Sequence, residues 1–416
     1  MAGHLVDEAL RLGARLTDNG KTPVATSLLR LEAIFSKWLL FRDQRALRAV
    51  LSAVTAHLAG GDGVWLFIVD SPGSGKTEVI RALNGLHPVF PLSSLTAQTF
   101  ASGRIVKDEN KDPSLLLRLP PECIITLKDF TTVLSQHHES RQEILAQLRE
   151  LADGSYVKEF GNGKTVSWEG RMCFIAGVTP ILDTHWAVNQ TLGERFVQVR
   201  PAASEPMLVG ERSMANVGRE EEMRTEMLAA VTEFIGSLEI PPIGQISLGP
   251  HFTARLAALA TFAVRARSAV SRDGYRQEIT YIPVPEGPAR LAKQLATLVR
   301  GRAILEGRDE VNDSDFDEIV ELGLDCIPPH RRQVLTALIS STELLTSSLA
   351  TKTGYPTSSA RRILEDLTAI GVVRRVAGRE EGTNVDRWSL SEEAHEWYSQ
   401  IRVSEKSTRG GVGEKV

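Results

Sequence analysis

Residues 64–86 read VWLFIVDSPGSGKTEVIRALNGL. The apolar run VWLFIV has no polar alternation, which predicts a strand buried on both faces. Glycines and a proline then break the run, and TEVIRALNGL has the spacing of a helix. Strand, glycine-rich turn and helix in that order are the frame of a phosphate-binding loop, here DSPGSGKT from Asp70 to Thr77. Bare backbone N–H groups must wrap the phosphates, a lysine must reach the β and γ oxygens, and a hydroxyl must hold Mg²⁺. Gly73, Gly75, Lys76 and Thr77 supply those parts, and Ser71, Pro72, Ser74 and Glu78 complete the expected binding set. Asp70 departs from the usual pattern, which opens with Gly or Ala. The chain is therefore expected to bind a nucleoside triphosphate.

At 416 residues, 42% hydrophobic and 24% charged, the chain has the composition of a soluble protein with more than one core. The formal net charge of -4 gives no global attraction to nucleic acid, so any contact with DNA must come from local patches. Cys123, Cys173 and Cys326 are too dispersed for a zinc site or a disulfide framework and read as buried thiols in a reducing cytoplasm. No apolar run approaches the ~20 residues of a membrane span. The opening MAGHLVDEALRLGARL reads as an amphipathic helix without a secretory core, so a cytoplasmic location and no membrane contact are expected.

Upstream of the loop, residues 1–62 read as helices, because TSLLRLEAIFSKWLL and DQRALRAVLSAVTAHL repeat apolar positions at three and four. Downstream, PVFPLSSLT reads as a second strand, and CIITLKDF as a short apolar strand ending in Asp129. P-loop enzymes place at such a strand end the carboxylate that organises Mg²⁺ or water. Two registers stay open. Asp129 is the magnesium-organising acid, or Lys128 occupies that slot and Asp129 activates water. Asp129 is also a good N-cap for the expected helix TTVLSQHHESRQEIL. SYVKEF and KTVSWE flank the turn GNG and predict a β-hairpin. RMCFIAGVTP returns to a buried strand that ends in Thr179, a polar group placed to sense a γ-phosphate. Strands alternating with helices predict an α/β fold with a parallel sheet.

The order P-loop, LKDF, helix and hairpin, FIAGVTP and LGERF resembles AAA+ ATPases of the group with a hairpin before the sensor strand, to which enhancer-binding activators and MCM helicases belong. FSKWLLFRD and LKDFTTVLS are also similar to ATP-binding proteins of phages and integrative elements. The resemblance covers roughly residues 40 to 325 and rests on motif order more than identity. It implies an ATPase core over 63–205 and a helical lid over 206–328. ATP is then the substrate and Mg²⁺ the cofactor. Lys76 would bind phosphates, Thr77 and Asp129 would organise Mg²⁺, and Thr179 would be the first sensor. Arg195 stands where the group carries an arginine finger that reaches a neighbouring subunit in a ring. Arg290, in VPEGPARLAKQL, stands where a second sensor arginine would touch the γ-phosphate, and Pro288 supports a helix start there.

From His330 onward three short helices and two strands are expected, the layout of a winged helix-turn-helix over 329–402, with a tail at 403–416. In that fold the third helix enters the major groove, so Thr357, Ser358, Ser359, Arg361 and Arg362 would face DNA, with Arg374, Arg375, Arg379 and Arg387 on the wing. Residues 331–396 hold nine Lys or Arg and nine Asp or Glu, so the module is not basic overall and a protein-contact role competes. Lys158 and Lys164 on the hairpin are further DNA candidates. The leading expectation is an ATP-driven, DNA-associated homo-oligomeric ring. A nucleotide-dependent switch or transcriptional regulator with slow turnover is the second, and small-molecule phosphotransfer the third.

Overall fold

The computed structural model describes residues 24–107, 111–185, 195–282, 284–380 and 383–402. The expected N-terminal amphipathic stretch, the C-terminal tail and most of LGERF lie outside those residues. The chain divides into two compact units, one of residues 1–185, 198–247 and 297–315, the other of 186–197, 248–296 and 316–416.

In the first unit the apolar run of the loop motif forms β1, Trp65–Val69, buried at every position. β2 is Val89–Leu92 and β3 is Glu122–Leu127. An antiparallel hairpin follows, β4 Ser155–Glu159 with β5 Thr165–Glu169, and then β6 Arg171–Val178 and β7 Phe196–Val199. The main sheet has the order β2-β3-β6-β1-β7, and the pairs β2–β3, β3–β6 and β1–β6 are parallel. The α/β class expected from the alternation of strands and helices is the one that forms. Strand β6 sits between β1 and β3, so the carboxyl ends of these three strands share one edge of the sheet.

Apolar packing supports that edge from below. Trp65 stacks on Phe174 across β1 and β6 with centroids 4.9 Å apart, and its Nε1 donates to the Met172 carbonyl at 2.9 Å. Helix Arg45–Leu58 is buried along most of its length. Helix Ala289–Leu305 crosses it at Gly301, where an added Cβ would stand 2.1 Å from the Ser52 carbonyl oxygen, so only glycine permits the approach. Helices Val24–Trp38, Pro206–Ala215 and Glu220–Ser237 also belong to this unit.

The second unit holds helix Pro250–Arg267, a small hairpin of β8 Ser271–Arg272 and β9 Ile279–Tyr281, and helix Pro329–Ile339. It continues with β10 Leu344–Leu345, helices Thr346–Thr353 and Thr357–Ala369, β11 Val373–Glu380, β12 Thr383–Leu390 and helix Glu392–Arg402. Strands β10, β12 and β11 form one antiparallel sheet in that order. Buried Arg331 fastens this helical and sheet module to helix Pro250–Arg267 by donating to the Ala266 carbonyl at 3.0 Å, and its guanidinium lies 3.5 Å from Asp366. Burial pulls Arg331 below its ordinary value, opposed by Asp366.

Two elements differ from expectation. The helix expected after Asp129 is broken into Thr131–Leu134 and His138–Ala152. The region 206–328, expected as a helical lid, also contains the β8–β9 hairpin, whose strands of two and three residues are too short to announce themselves. No helix among the described residues is long and apolar enough to cross a membrane.

Candidate functional site

The glycine-rich turn leaves β1 and enters helix Lys76–Arg81 through Gly75. Gly73 has φ +79° and Gly75 φ +89°, a region other residues resist, and nothing lies within 4 Å of where a Cβ on Gly73 would be. The turn is therefore an open cradle of backbone. The Ser74 hydroxyl is buried without a hydrogen-bond partner, and the first N–H groups of a helix have no acceptor within it. Both features suit a phosphate.

Three loops at the sheet edge are stitched together by hydrogen bonds. The Asp70 N–H donates to the Val178 carbonyl at 3.1 Å, joining β1 to β6. The Phe130 N–H donates to the Gly177 carbonyl at 2.7 Å, joining β3 to β6. Thr131 Oγ1 accepts the Thr179 N–H at 3.1 Å and lies 3.2 Å from Thr179 Oγ1. Asp129 accepts the Thr131 N–H at 2.9 Å, so the acid orders its own loop. An added Cβ on Gly177 would lie 2.8 Å from the Lys128 carbonyl oxygen and 3.5 Å from Lys76 Cδ. The lysine stem therefore runs across a glycine that leaves it room.

Lys76 is buried at 8% exposure, and its Nζ donates to the Ser71 carbonyl at 2.8 Å. Burial holds its amine below the ordinary lysine value, while the charges of Asp70 and Asp129 act in the opposite direction. Both carboxylates thus favour the charged form of one ammonium through space. Asp70, which breaks the usual motif, accepts the Ser71 N–H at 2.7 Å and supplies an acid that spacing alone did not assign. Thr77 stands at the start of the helix, half-buried.

Among the described residues no cluster of three or more His, Cys, Asp or Glu could hold a metal ion. Mg²⁺ keeps waters and takes few protein ligands beside substrate phosphates, and the Thr77 hydroxyl and Asp129 carboxylate are oxygen ligands of the kind such an ion takes.

Other residues at the site carried no signal in the sequence. Leu39 Cδ2 is 3.4 Å from the Cβ position of Gly75 and covers the loop from the N-terminal segment. That segment is clamped from several sides. Trp38 Nε1 donates to Glu226 at 2.6 Å, Asn216 donates to the Trp38 carbonyl at 2.7 Å, and Ser204 donates to the Leu40 carbonyl at 3.1 Å. Glu78 is held by both arms of Arg224 at 3.0 and 3.1 Å and by Arg81 at 2.6 Å. Helix Glu220–Ser237 therefore grips the loop helix through Arg224 and the N-terminal segment through Glu226. Contacts made across some 150 residues of chain have no local pattern to reveal them.

Lys76, Thr77, Asp129 and Thr179 belong to the first unit, whereas Arg195 and Arg290 belong to the second. The Arg195 carbonyl accepts from Gln294 at 2.6 Å, and Arg290 pairs with Glu286 at 2.9 Å. On the large hairpin, Lys158 pairs with Glu143 at 2.9 Å and lies 5.3 Å from the Phe160 ring centroid. Lys164 is enclosed: its ammonium meets Asp112 at 2.6 Å, the Ser102 carbonyl at 2.6 Å and the Arg104 carbonyl at 3.0 Å. Burial raises the Asp112 carboxyl, but hydrogen bonds from Lys164 and Ser114 outweigh it and hold the group below its ordinary value. Lys164 thereby fastens the hairpin to the segment before β3.

Helix Thr357–Ala369 exposes Thr357, Ser358, Arg361 and Arg362, with Ser359 half-buried. Asp386 accepts from Arg361 at 2.9 Å and from Arg375 at 2.8 Å, tying helix to β11 and β12. Exposed Arg374 lies 3.7 Å from Glu392, and Arg387 donates to Glu343 at 3.2 Å. The Arg379 side chain lies outside the described residues.

No protein-family model and no curated protein sequence matches this chain.

Proposed function

We propose that the chain is an AAA+-type P-loop ATPase that binds ATP with Mg²⁺ and turns it over to act on DNA as a homo-oligomeric ring. The observation that carries this reading is the convergence of the glycine cradle, Lys76, Asp129 and Thr179 at the carboxyl ends of three neighbouring strands. Open α/β sheets bind ligands at such an edge. Lys76 binds the phosphates once its ammonium leaves the Ser71 carbonyl, and the N–H groups of the loop wrap them. Thr77 and Asp129 would hold Mg²⁺, which would supply positive charge to offset that on the transferring phosphate. Thr179, oriented by Thr131, senses the γ-phosphate. Arg195 completes the site of a neighbouring copy, and Arg290 acts as the second sensor.

The third helix and the paired strands of the C-terminal module support reading it as a winged helix that attaches DNA through Thr357, Ser358, Ser359, Arg362 and Arg374. Steady-state ATP hydrolysis by wild type and Lys76→Ala, with and without duplex and single-stranded DNA, tests the proposal. Lys76-dependent turnover that DNA stimulates supports it.

A second reading is a nucleotide-dependent switch with slow turnover. It is favoured by Lys128, which stands immediately before Asp129 and leaves β3 with one carboxylate at its end. Tight ATP binding, negligible turnover and a DNA affinity that follows the bound nucleotide would select this reading over the motor.

A further inference from the structure

The hairpin β8–β9 is a strand pair inside a mostly helical stretch of its unit. Tyr275 at its tip is 93% exposed, and Arg276 beside it is exposed as well. The tip is rigidly built. Asp273 accepts the N–H groups of Tyr275 at 2.8 Å, Arg276 at 2.5 Å and Glu278 at 2.8 Å, and those bonds hold its carboxyl below the ordinary value. Gln277 has φ +60°, the sole positive φ among described non-glycine residues, a strain that a functional tip can carry.

The hairpin base is anchored to helix Thr357–Ala369. Arg272 donates to Asp366 at 2.8 Å, to Glu365 at 3.2 Å and to the Arg362 carbonyl at 3.2 Å. At about 100° per residue, Ser358, Arg362 and Asp366 lie roughly 60°, 100° and 140° around the helix from Arg361. Strand β12 reaches the Arg361 side through Asp386, and the hairpin reaches the Asp366 side through Arg272. Arg272 also reaches Glu365, at about 40°, and so closes the strip toward the C-terminal end, leaving its N-terminal part, with Ser358 and Arg362, exposed between two ribbons.

The exposed side chains of this face that carry an unpaired charge among the described residues are Arg276 and Arg362 against Glu278, a balance of two cations to one anion. Asp366, Glu365 and Asp386 are each paired with arginine, and the Asp273 carboxylate is taken by backbone. Arg276 and Arg362, by contrast, have exposed guanidinium groups with no ion pair among the described residues. An α-helix fills the major groove of duplex DNA, so ribbons on its two sides meet the phosphate backbones that border the groove.

We propose that the hairpin Ser271–Tyr281 is a second wing that grips a phosphate backbone of duplex DNA beside helix Thr357–Ala369, with Tyr275 and Arg276 as its contacts. The proposal rests on the reading of that helix as a DNA-binding element, so the test separates the two. Binding of the full chain to a fluorescein-labelled duplex is measured by anisotropy from about 50 to 200 mM salt. Tyr275→Ala/Arg276→Ala is expected to weaken binding about five- to tenfold for any sequence and to lower the salt slope by about 1. Arg276→Lys should retain the slope, and circular dichroism should be unchanged in both variants.

If the double variant binds like wild type while Arg362→Ala weakens binding, the second wing is wrong and the helix reading stands. If wild type binds no duplex, both fail. If the double variant keeps its DNA affinity but changes the state of assembly, the hairpin is a protein-docking element and the proposal is overturned.

Discussion

His57 is 2% exposed, and neither ring nitrogen has a hydrogen-bond partner. Burial, reinforced by the Arg171 charge and opposed by Glu122, pushes it down to about 4. A histidine whose folded value lies below its unfolded value of about 6.5 stabilises the fold above pH 6.5. That contribution is lost as pH falls from about 6.5 to about 4, up to about 3 kcal/mol. Urea midpoints at pH 7 and pH 4.5 should therefore differ more for wild type than for His57→Phe, and equal differences would exclude His57 as the cause. At the proposed nucleotide site Asp70 adds a negative charge that acts on Lys76. Asp70→Ala removes an anion from beside the phosphates and should tighten ATP binding several-fold, about 1 kcal/mol, as measured by calorimetry. Weaker binding would mean that Asp70 positions the loop through Ser71 instead. The departure of Asp70 from the motif was legible in the sequence, but its closeness to Lys76 became visible only once the turn was folded.

The large hairpin shows how an element can be announced by sequence while its attachments are not. GNG between two alternating segments marked β4 and β5, because a two-residue period and a glycine turn are local signals. Nothing local marked Lys164 as an anchor, since Ser102, Arg104 and Asp112 reach it from a separate loop. Lys164→Ala strands the Asp112 carboxylate and is expected to cost about 2 kcal/mol, whereas Lys158→Ala, on an exposed pair, should cost less than about 0.5 kcal/mol. Thermal melting of the two variants checks the difference. The small hairpin β8–β9 gives the opposite lesson. Its strands are two and three residues long, too short for any period to register, and Arg272 ties it to helix Thr357–Ala369 from far away in sequence.

For the whole molecule, the proposed ring makes Arg195 and Lys76 act on the same nucleotide from different copies. Arg195→Ala should lower turnover by about a hundredfold or more with nucleotide affinity kept, and Lys76→Ala should abolish turnover. Mixing the two inactive variants should restore part of the activity, because one copy then offers an intact loop and the other an intact arginine. No recovery across mixing ratios would exclude a site shared between copies. The α/β class, the glycine loop and the order of strands and helices could be read from residues 64–86 and the segments that follow, because strand burial, turn chemistry and helix periodicity are local properties written into neighbouring side chains. Asp129 and Thr179 could be named from their places at strand ends. Their meeting required β6 to lie between β1 and β3, and strand order depends on packing among distant segments rather than on any stretch of chain. The clamp of Arg224 on Glu78, the cover of Leu39 over Gly75 and the grip of Arg331 on helix Pro250–Arg267 arise in the same way. Such contacts join residues far apart in sequence, and the free energy that selects them comes from burial and charge pairing in the folded molecule.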